Sequence, residues 1–193
     1  RYGPRALLTA GPALAGVGFF LLGQPGLTDG PRAYWTSYLP GILSLGVGMG
    51  LTVAPLSTTV MTSVSSNQTG AASGINNAVS WLAQVLTTAI FGALALATFS
   101  SALETRTAPL EIPPTARTAL PASASDLGNA EPPEGLPPAT AQAVEGAIDR
   151  SFVEAYRLVM IVAAALAWIS AVLSAIMVEP RELRGHAAKP EPV

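Results

Sequence analysis

Long apolar stretches dominate the sequence, and most of them are separated by short polar segments. A helix needs about 20 mainly apolar residues to cross the hydrocarbon core of a bilayer, with a range of roughly 17 to 25. Four stretches meet this length, and none of them carries a charged residue away from its ends. The predicted membrane-spanning helices cover residues 6–23, 35–56, 72–99 and 152–178.

The polar segments predict what lies between and beyond these spans. Residues 1–5 are interpreted as the end of a cytoplasmic loop, and residues 179–193 as a cytoplasmic tail. The connection 100–151 is rich in proline, and we expect a mostly mobile loop outside the cytoplasm because it cannot bury enough apolar area to offset chain entropy. Within it, Thr140 to Asp149 predicts a short helix with a threonine cap.

The distribution of basic residues predicts the orientation of the chain. Four spans place both ends on one side of the membrane, and cytoplasmic segments carry an excess of Lys and Arg. The short ends have more basic residues, at higher density, than the connections on the other side. Both ends are therefore predicted to be cytoplasmic, in a multi-pass protein of the plasma (inner) membrane. The basic residues are Arg1, Arg5, Arg181, Arg184 and Lys189 at the ends, and Arg32, Arg106, Arg117 and Arg150 on the opposite side.

Composition strengthens the membrane interpretation. Of 193 residues, 50% are hydrophobic and only 11% are charged, whereas soluble domains carry roughly 25% charged residues. Residues 33–103 contain no Asp, Glu, Lys or Arg at all. These features exclude a soluble enzyme and make the lipid bilayer the first partner. The net charge of -2, without a basic stripe, excludes nucleic-acid binding.

The chain lacks the residues that catalysis or metal binding would require. It has no cysteine, and His186 is its single histidine. No paired carboxylates fall inside a predicted span, although Glu154 and Arg157 lie three residues apart before the last one and predict an ion pair at the membrane interface. We therefore predict no catalytic residue, no metal and no cofactor, and hence no enzyme.

Small residues recur at four-residue spacing in the second and third spans. Gly46 and Gly50 form one such pair, and Gly70 and Gly74 form another. Helices approach closely in a bilayer where small residues allow it, so these glycines predict helix packing. They are also compatible with helices that slide past one another during alternating access. Both interpretations remain open.

Polar side chains interrupt the third span. Asn76, Asn77 and Gln84 carry amides, and Ser73 lies on nearly the same face as Asn77 and Gln84. An amide inside hydrocarbon needs a hydrogen-bonding partner. These residues are therefore candidates either for contacts between helices or for the lining of a substrate cavity.

The segment that holds these amides also carries a family resemblance. The run GAASGINNAV over residues 70–79 follows a glycine-rich span that ends in Ala54 and Pro55. It resembles the penultimate helix of fourteen-span drug:proton antiporters of the major facilitator superfamily. The run FVEAYR at residues 152–157 and its apolar continuation are similar to the final helix of that group. The resemblance covers essentially the whole chain.

This resemblance implies an all-α integral membrane protein whose four spans are the C-terminal part of a larger helical bundle. The remaining N-terminal helices would then be partners, and the start of the chain at Arg1 fits such a fragment. The implied function is proton-coupled efflux of small drug-like molecules, driven by a proton gradient, with the coupling acid upstream. Alternatives are an uptake permease of the same superfamily or a self-contained four-helix scaffold, receptor subunit or channel component.

Overall fold

The computed structural model describes residues 4–28, 32–62, 68–124, 127 and 130–177. All regular structure in these ranges is helical. A π-helical turn at Tyr34–Tyr38 leads directly into the second helix. The five α-helices are α1 Pro4–Leu22, α2 Leu39–Thr62, α3 Thr69–Thr107, α4 Pro114–Ala124 and α5 Pro138–Met177.

Four of the described helices, α1, α2, α3 and α5, are long and apolar enough to cross a membrane. This finding confirms the prediction of an all-helical chain with four potential spans. The third and fourth are much longer than a crossing requires. At 39 and 40 residues, each extends close to 60 Å, about twice the thickness of the hydrocarbon core.

Helix α1 lies between α2 and α5, and it runs antiparallel to both. The backbones of α1 and α2 are in close contact where Gly48 of α2 packs against Ala15 of α1. The indole of Trp168 on α5 contacts Gly16 and stacks at a tilt on Phe20, with ring centroids 6.0 Å apart. At the opposite end of this pair, the Arg5 guanidinium donates a hydrogen bond to the carbonyl of Ala175. Small residues on α1 and α2 thus allow close packing, as expected for helices in lipid.

The most thoroughly buried part of the described chain lies beyond these spans. We call it the cap: it consists of Phe99–Thr107 at the end of α3, residues 110–120 with most of α4, and Pro138–Ala155 at the start of α5. Phe99 and Val144 are completely buried in it. The buried side chains of its core are Phe99, Leu103, Ile112, Ala116, Leu120, Val144, Ala147, Ile148 and Ala155.

Polar groups in the cap are satisfied within its own helices. The buried hydroxyl of Ser151 donates to the carbonyl of Ala147 at 2.7 Å, and that of Thr107 donates to the carbonyl of Leu103 at 2.8 Å. No buried side-chain nitrogen or oxygen in the described residues lacks a partner. Burying a polar group without a hydrogen-bond partner would cost free energy. The buried hydroxyls of the cap avoid this cost because each has a backbone acceptor.

The cap differs from the mobile proline-rich loop predicted for residues 100–151. Helix α3 continues to Thr107 rather than ending at residue 99, and α5 begins at Pro138 rather than at residue 152. The helix predicted from Thr140 to Asp149 is present as part of α5. Two prolines that suggested a loop, Pro114 and Pro138, are the first residues of α4 and α5, where the missing N–H costs no hydrogen bond.

The other predicted boundaries shift by a few residues. Helix α1 covers residues 4–22 in place of the predicted 6–23. The π-helical turn and α2 together run from Tyr34 to Thr62, so the predicted start of the second span at residue 35 is confirmed and its end lies later than the predicted residue 56. The predicted cytoplasmic tail at 179–193 and residues 1–3 lie outside the described residues.

Candidate functional site

The predicted polar residues all lie in the first half of α3. Ser73 and Asn76 are half-buried, whereas Asn77 and Gln84 are exposed. The hydroxyl of Ser80 donates to the carbonyl of Asn76 at 2.8 Å, and that of Thr88 donates to the carbonyl of Gln84 at 2.9 Å. These hydroxyls are thus satisfied within α3. The side-chain amides of Asn77 and Gln84 make no hydrogen bond to any residue that the structure describes.

Most of this half of α3 is open. Every residue from Asn77 to Ile90 is exposed, over almost four turns and therefore on all faces. The apolar side chains are as open as the polar ones, with Trp81 at 70% and Val85 at 62% exposure. Lipid can cover the apolar faces, but lipid cannot satisfy the amides of Asn77 and Gln84. The structure therefore leaves Asn77 and Gln84 exposed on one segment of α3, with no hydrogen bond from their side chains to the described residues.

The predicted packing glycines are likewise open in this chain. A β-carbon added at Gly46, Gly50, Gly70 or Gly74 would meet no atom within 4 Å. The close contacts of α2 instead use Gly41 and Gly48, which face α1. Helix α2 consequently carries two small-residue faces, one occupied by α1 and one, at Gly46 and Gly50, with no neighbour among the described residues.

A polar groove at the base of the cap was not predicted from the sequence. It is bordered by an ion pair between the Arg106 guanidinium and the Glu154 carboxylate, at 2.6 Å. A groove of about 500 Å³ beside this pair is lined by Gly26, Leu27, Arg106, Arg150, Val153, Glu154 and Arg157. Arg150, Glu154 and Arg157 lie on one face of α5 because they are spaced at i, i+4 and i+7. This helical spacing is the feature of the sequence that could have indicated a charged site here.

The prediction that Glu154 pairs with Arg157 is corrected by this geometry. Glu154 pairs with Arg106 of α3 instead. Arg157 donates from Nε to the carbonyl of Gly23 at 3.1 Å, and from Nη2 to the carbonyl of Gln24 at 3.4 Å. A cation at the carbonyl end of α1 is favoured by unpaired carbonyls and by the helix dipole. This partner was not visible from the helix spacing of Glu154 and Arg157.

A second cavity lies within the cap, between α3 and α4. It measures about 380 Å³ and includes Leu103, Thr107, Arg117 and Leu120 in its lining. Among the residues that the structure describes, no three His, Cys, Asp or Glu side chains gather as a metal-binding group.

No family model, no curated protein and no solved structure matches this chain. Its function is therefore inferred from its own residues.

Proposed function

We propose that the chain is the C-terminal part of a secondary membrane transporter that moves small drug-like molecules by alternating access. The proposed type is the fourteen-span drug:proton antiporter of the major facilitator superfamily. The observation that carries the proposal is the open segment of α3. Helix α3 as a whole is long and apolar enough to cross a membrane. Its open segment nevertheless bears the amides of Asn77 and Gln84, which have no hydrogen-bond partner among the described residues.

An amide in hydrocarbon is stable only beside another polar group or in a wet cavity. The described helices offer neither to Asn77 or Gln84, because α2 and α5 both pack on α1 and leave this segment open. Further helices of the same transporter would supply those contacts. The open glycine face of α2, at Gly46 and Gly50, supports the same proposal because it would accept a closely packed helix.

The arrangement also suits the motion that such a transporter needs. Helices α1, α2 and α5 pack as one unit, whereas α3 is joined to α5 mainly at the cap. Rocking of two helix bundles around a midplane site would expose the amides of α3 to one side and then the other. Residues 33–103 carry no acid, so a coupling carboxylate for the proposed proton gradient would lie upstream.

The proposal is tested by substituting Asn77 in the open reading frame that encodes this chain, expressed in a pump-deficient strain. We expect the unchanged protein to speed the efflux of preloaded ethidium, and Asn77→Leu to slow that efflux about tenfold, because losing an interhelical hydrogen bond costs roughly 1–2 kcal/mol. Val85→Leu is the matched control, since Val85 lies on the same open segment but has no polar group.

Each result separates the alternatives. An uptake permease would instead raise ethidium entry, and a scaffold or channel subunit would change neither flux. Equal efflux by the Asn77→Leu and Val85→Leu proteins would contradict the role given to the amide.

Orientation is a separate prediction of the proposal. With both ends of the chain in the cytoplasm, we expect a green fluorescent protein fused after Val193 to fluoresce, and alkaline phosphatase at the same point to be inactive. Phosphatase inserted at Leu127, between α4 and α5, should be active because the cap would then lie outside the cytoplasm. The reverse pattern at the two positions would overturn this topology.

A further inference from the structure

We propose that the groove at the base of the cap binds the phosphate of a phospholipid headgroup. We call it the basal groove, and its charged lining consists of Arg106, Arg150, Glu154 and Arg157. This inference concerns a lipid site outside the open segment of α3, and it stands whether or not the chain transports a solute.

The lining of the basal groove carries a net positive charge. Three guanidinium groups and one carboxylate line the groove, which leaves an excess of positive charge. Arg106 is paired with Glu154, and Arg157 donates to backbone carbonyls, which do not neutralise it. Arg150 makes no hydrogen bond or ion pair within the part of the chain that the structure describes. An arginine with free donors matches phosphate oxygens, to which guanidinium can bond in a bidentate manner.

The basal groove lies at the end of an apolar stretch of α5. Arg157 holds the end of α1 at Gly23, and below it α5 continues as an apolar stretch from Leu158 to Met177. That stretch is about 30 Å long, the thickness of the hydrocarbon core. The groove at the level of Arg157 consequently lies where headgroups lie.

Aromatic residues mark the same level. Tyr34, Trp35 and Tyr38 cluster just before α2, with Tyr34 and Trp35 in edge contact. Such residues favour the boundary between membrane and water. At this boundary the phosphodiester is an abundant anion, and the basic groove is placed to meet it.

The lining of the basal groove also has an apolar part. Leu27 and Val153 border the groove together with the three arginines, and Leu27 is 57% exposed. A lipid presents phosphate and hydrocarbon next to each other. The basal groove offers guanidinium and aliphatic side chains in the same arrangement, which free phosphate would not need.

The test is lipid binding by the purified chain in neutral detergent, measured by native mass spectrometry. We expect retention of one phosphatidylglycerol in preference to phosphatidylcholine, and about tenfold weaker retention by Arg150→Gln. Arg150 is exposed and unpaired, so its substitution leaves the fold intact, which circular dichroism checks. Arg117→Gln is the matched control, since Arg117 is a cap arginine outside the basal groove whose guanidinium donates to Leu110.

Equal retention by Arg150→Gln and Arg117→Gln would overturn the proposal, because the loss of charge would then have no local effect. A second arm adds sodium phosphate to the lipid-loaded protein. We expect no displacement of phosphatidylglycerol at millimolar phosphate. Displacement by phosphate at that concentration would show that the groove is a site for the free anion rather than for lipid.

Discussion

Replacing Phe99 with alanine is expected to unfold the cap while leaving α1 and α2 packed together. Phe99 is completely buried at the centre of the cap core, and truncating a buried phenylalanine costs about 3–5 kcal/mol. A small core of this kind has little stability to spare. Hydrogen exchange followed by mass spectrometry should show the amides of α4 and of residues 138–155 losing protection, with α1 unchanged.

Phe152 provides the matched control for this substitution. It lies on the part of α5 that belongs to the cap but is 41% exposed, so Phe152→Ala removes the same side chain without opening a core. We expect its exchange pattern to resemble that of the unchanged protein. If Phe99→Ala also left the cap amides protected, the buried cluster would not be what holds the cap together.

Replacing Gly48 with valine is expected to separate α1 from α2. A β-carbon at Gly48 would lie 2.5 Å from the backbone nitrogen of Ala15 and 2.7 Å from the carbonyl oxygen of Gly11. Because both obstacles are backbone atoms, the helices themselves must move apart. Overpacking of this kind costs about 1–3 kcal/mol or more, which thermal unfolding of the purified chain in detergent would report as a lower Tm.

Gly46→Val is the control on the opposite face of α2. The space beside Gly46 is open in this chain, so the same side chain should leave the Tm of the purified chain nearly unchanged. A drop in Tm as large as that of Gly48→Val would contradict the helix orientation. In the complete transporter proposed above, Gly46→Val should instead reduce efflux, because the face would be occupied there.

The spans were predictable because the bilayer imposes a simple rule on composition. Residues 33–103 carry no charge, and helices were expected wherever about 20 apolar residues followed one another. The predicted first span, 6–23, therefore nearly coincides with α1. Helix ends are set by local capping and by neighbours, which explains why the predicted second, third and fourth spans are shorter than the helices that contain them.

The sequence does not predict the cap because the apolar residues that form its core are few and widely separated along the chain. Val144, Ile148 and Ala155 recur at helical spacing, but they are separated by charged residues and preceded by many prolines. Average composition therefore indicated a mobile loop. Burial depends on the end of α3 and on α4 folding back against this face, which is a tertiary contact that the local pattern of α5 does not contain.

The sequence predicts which polar residues share a helix face in the candidate site, but it does not predict their tertiary contacts. Asn77 and Gln84 were expected to share a face of one helix, and they do so on α3. Which glycine face of α2 meets α1 was not predictable, since Gly46 and Gly48 are both compatible with close packing. The ion pair between Arg106 and Glu154 joins residues 48 positions apart, beyond the reach of any local pattern.

The unbroken course of α5 determines how the two ends of the molecule are coupled. Its 40 residues run without an internal proline from the cap to the far side of the span, so it acts as a single stiff lever. A tilt of about 10° would carry a point about 30 Å from the pivot through about 5 Å, given the helical rise. An antibody fragment bound to the cap would therefore restrict the movement of the apolar arm of α5, which is long enough to cross a membrane.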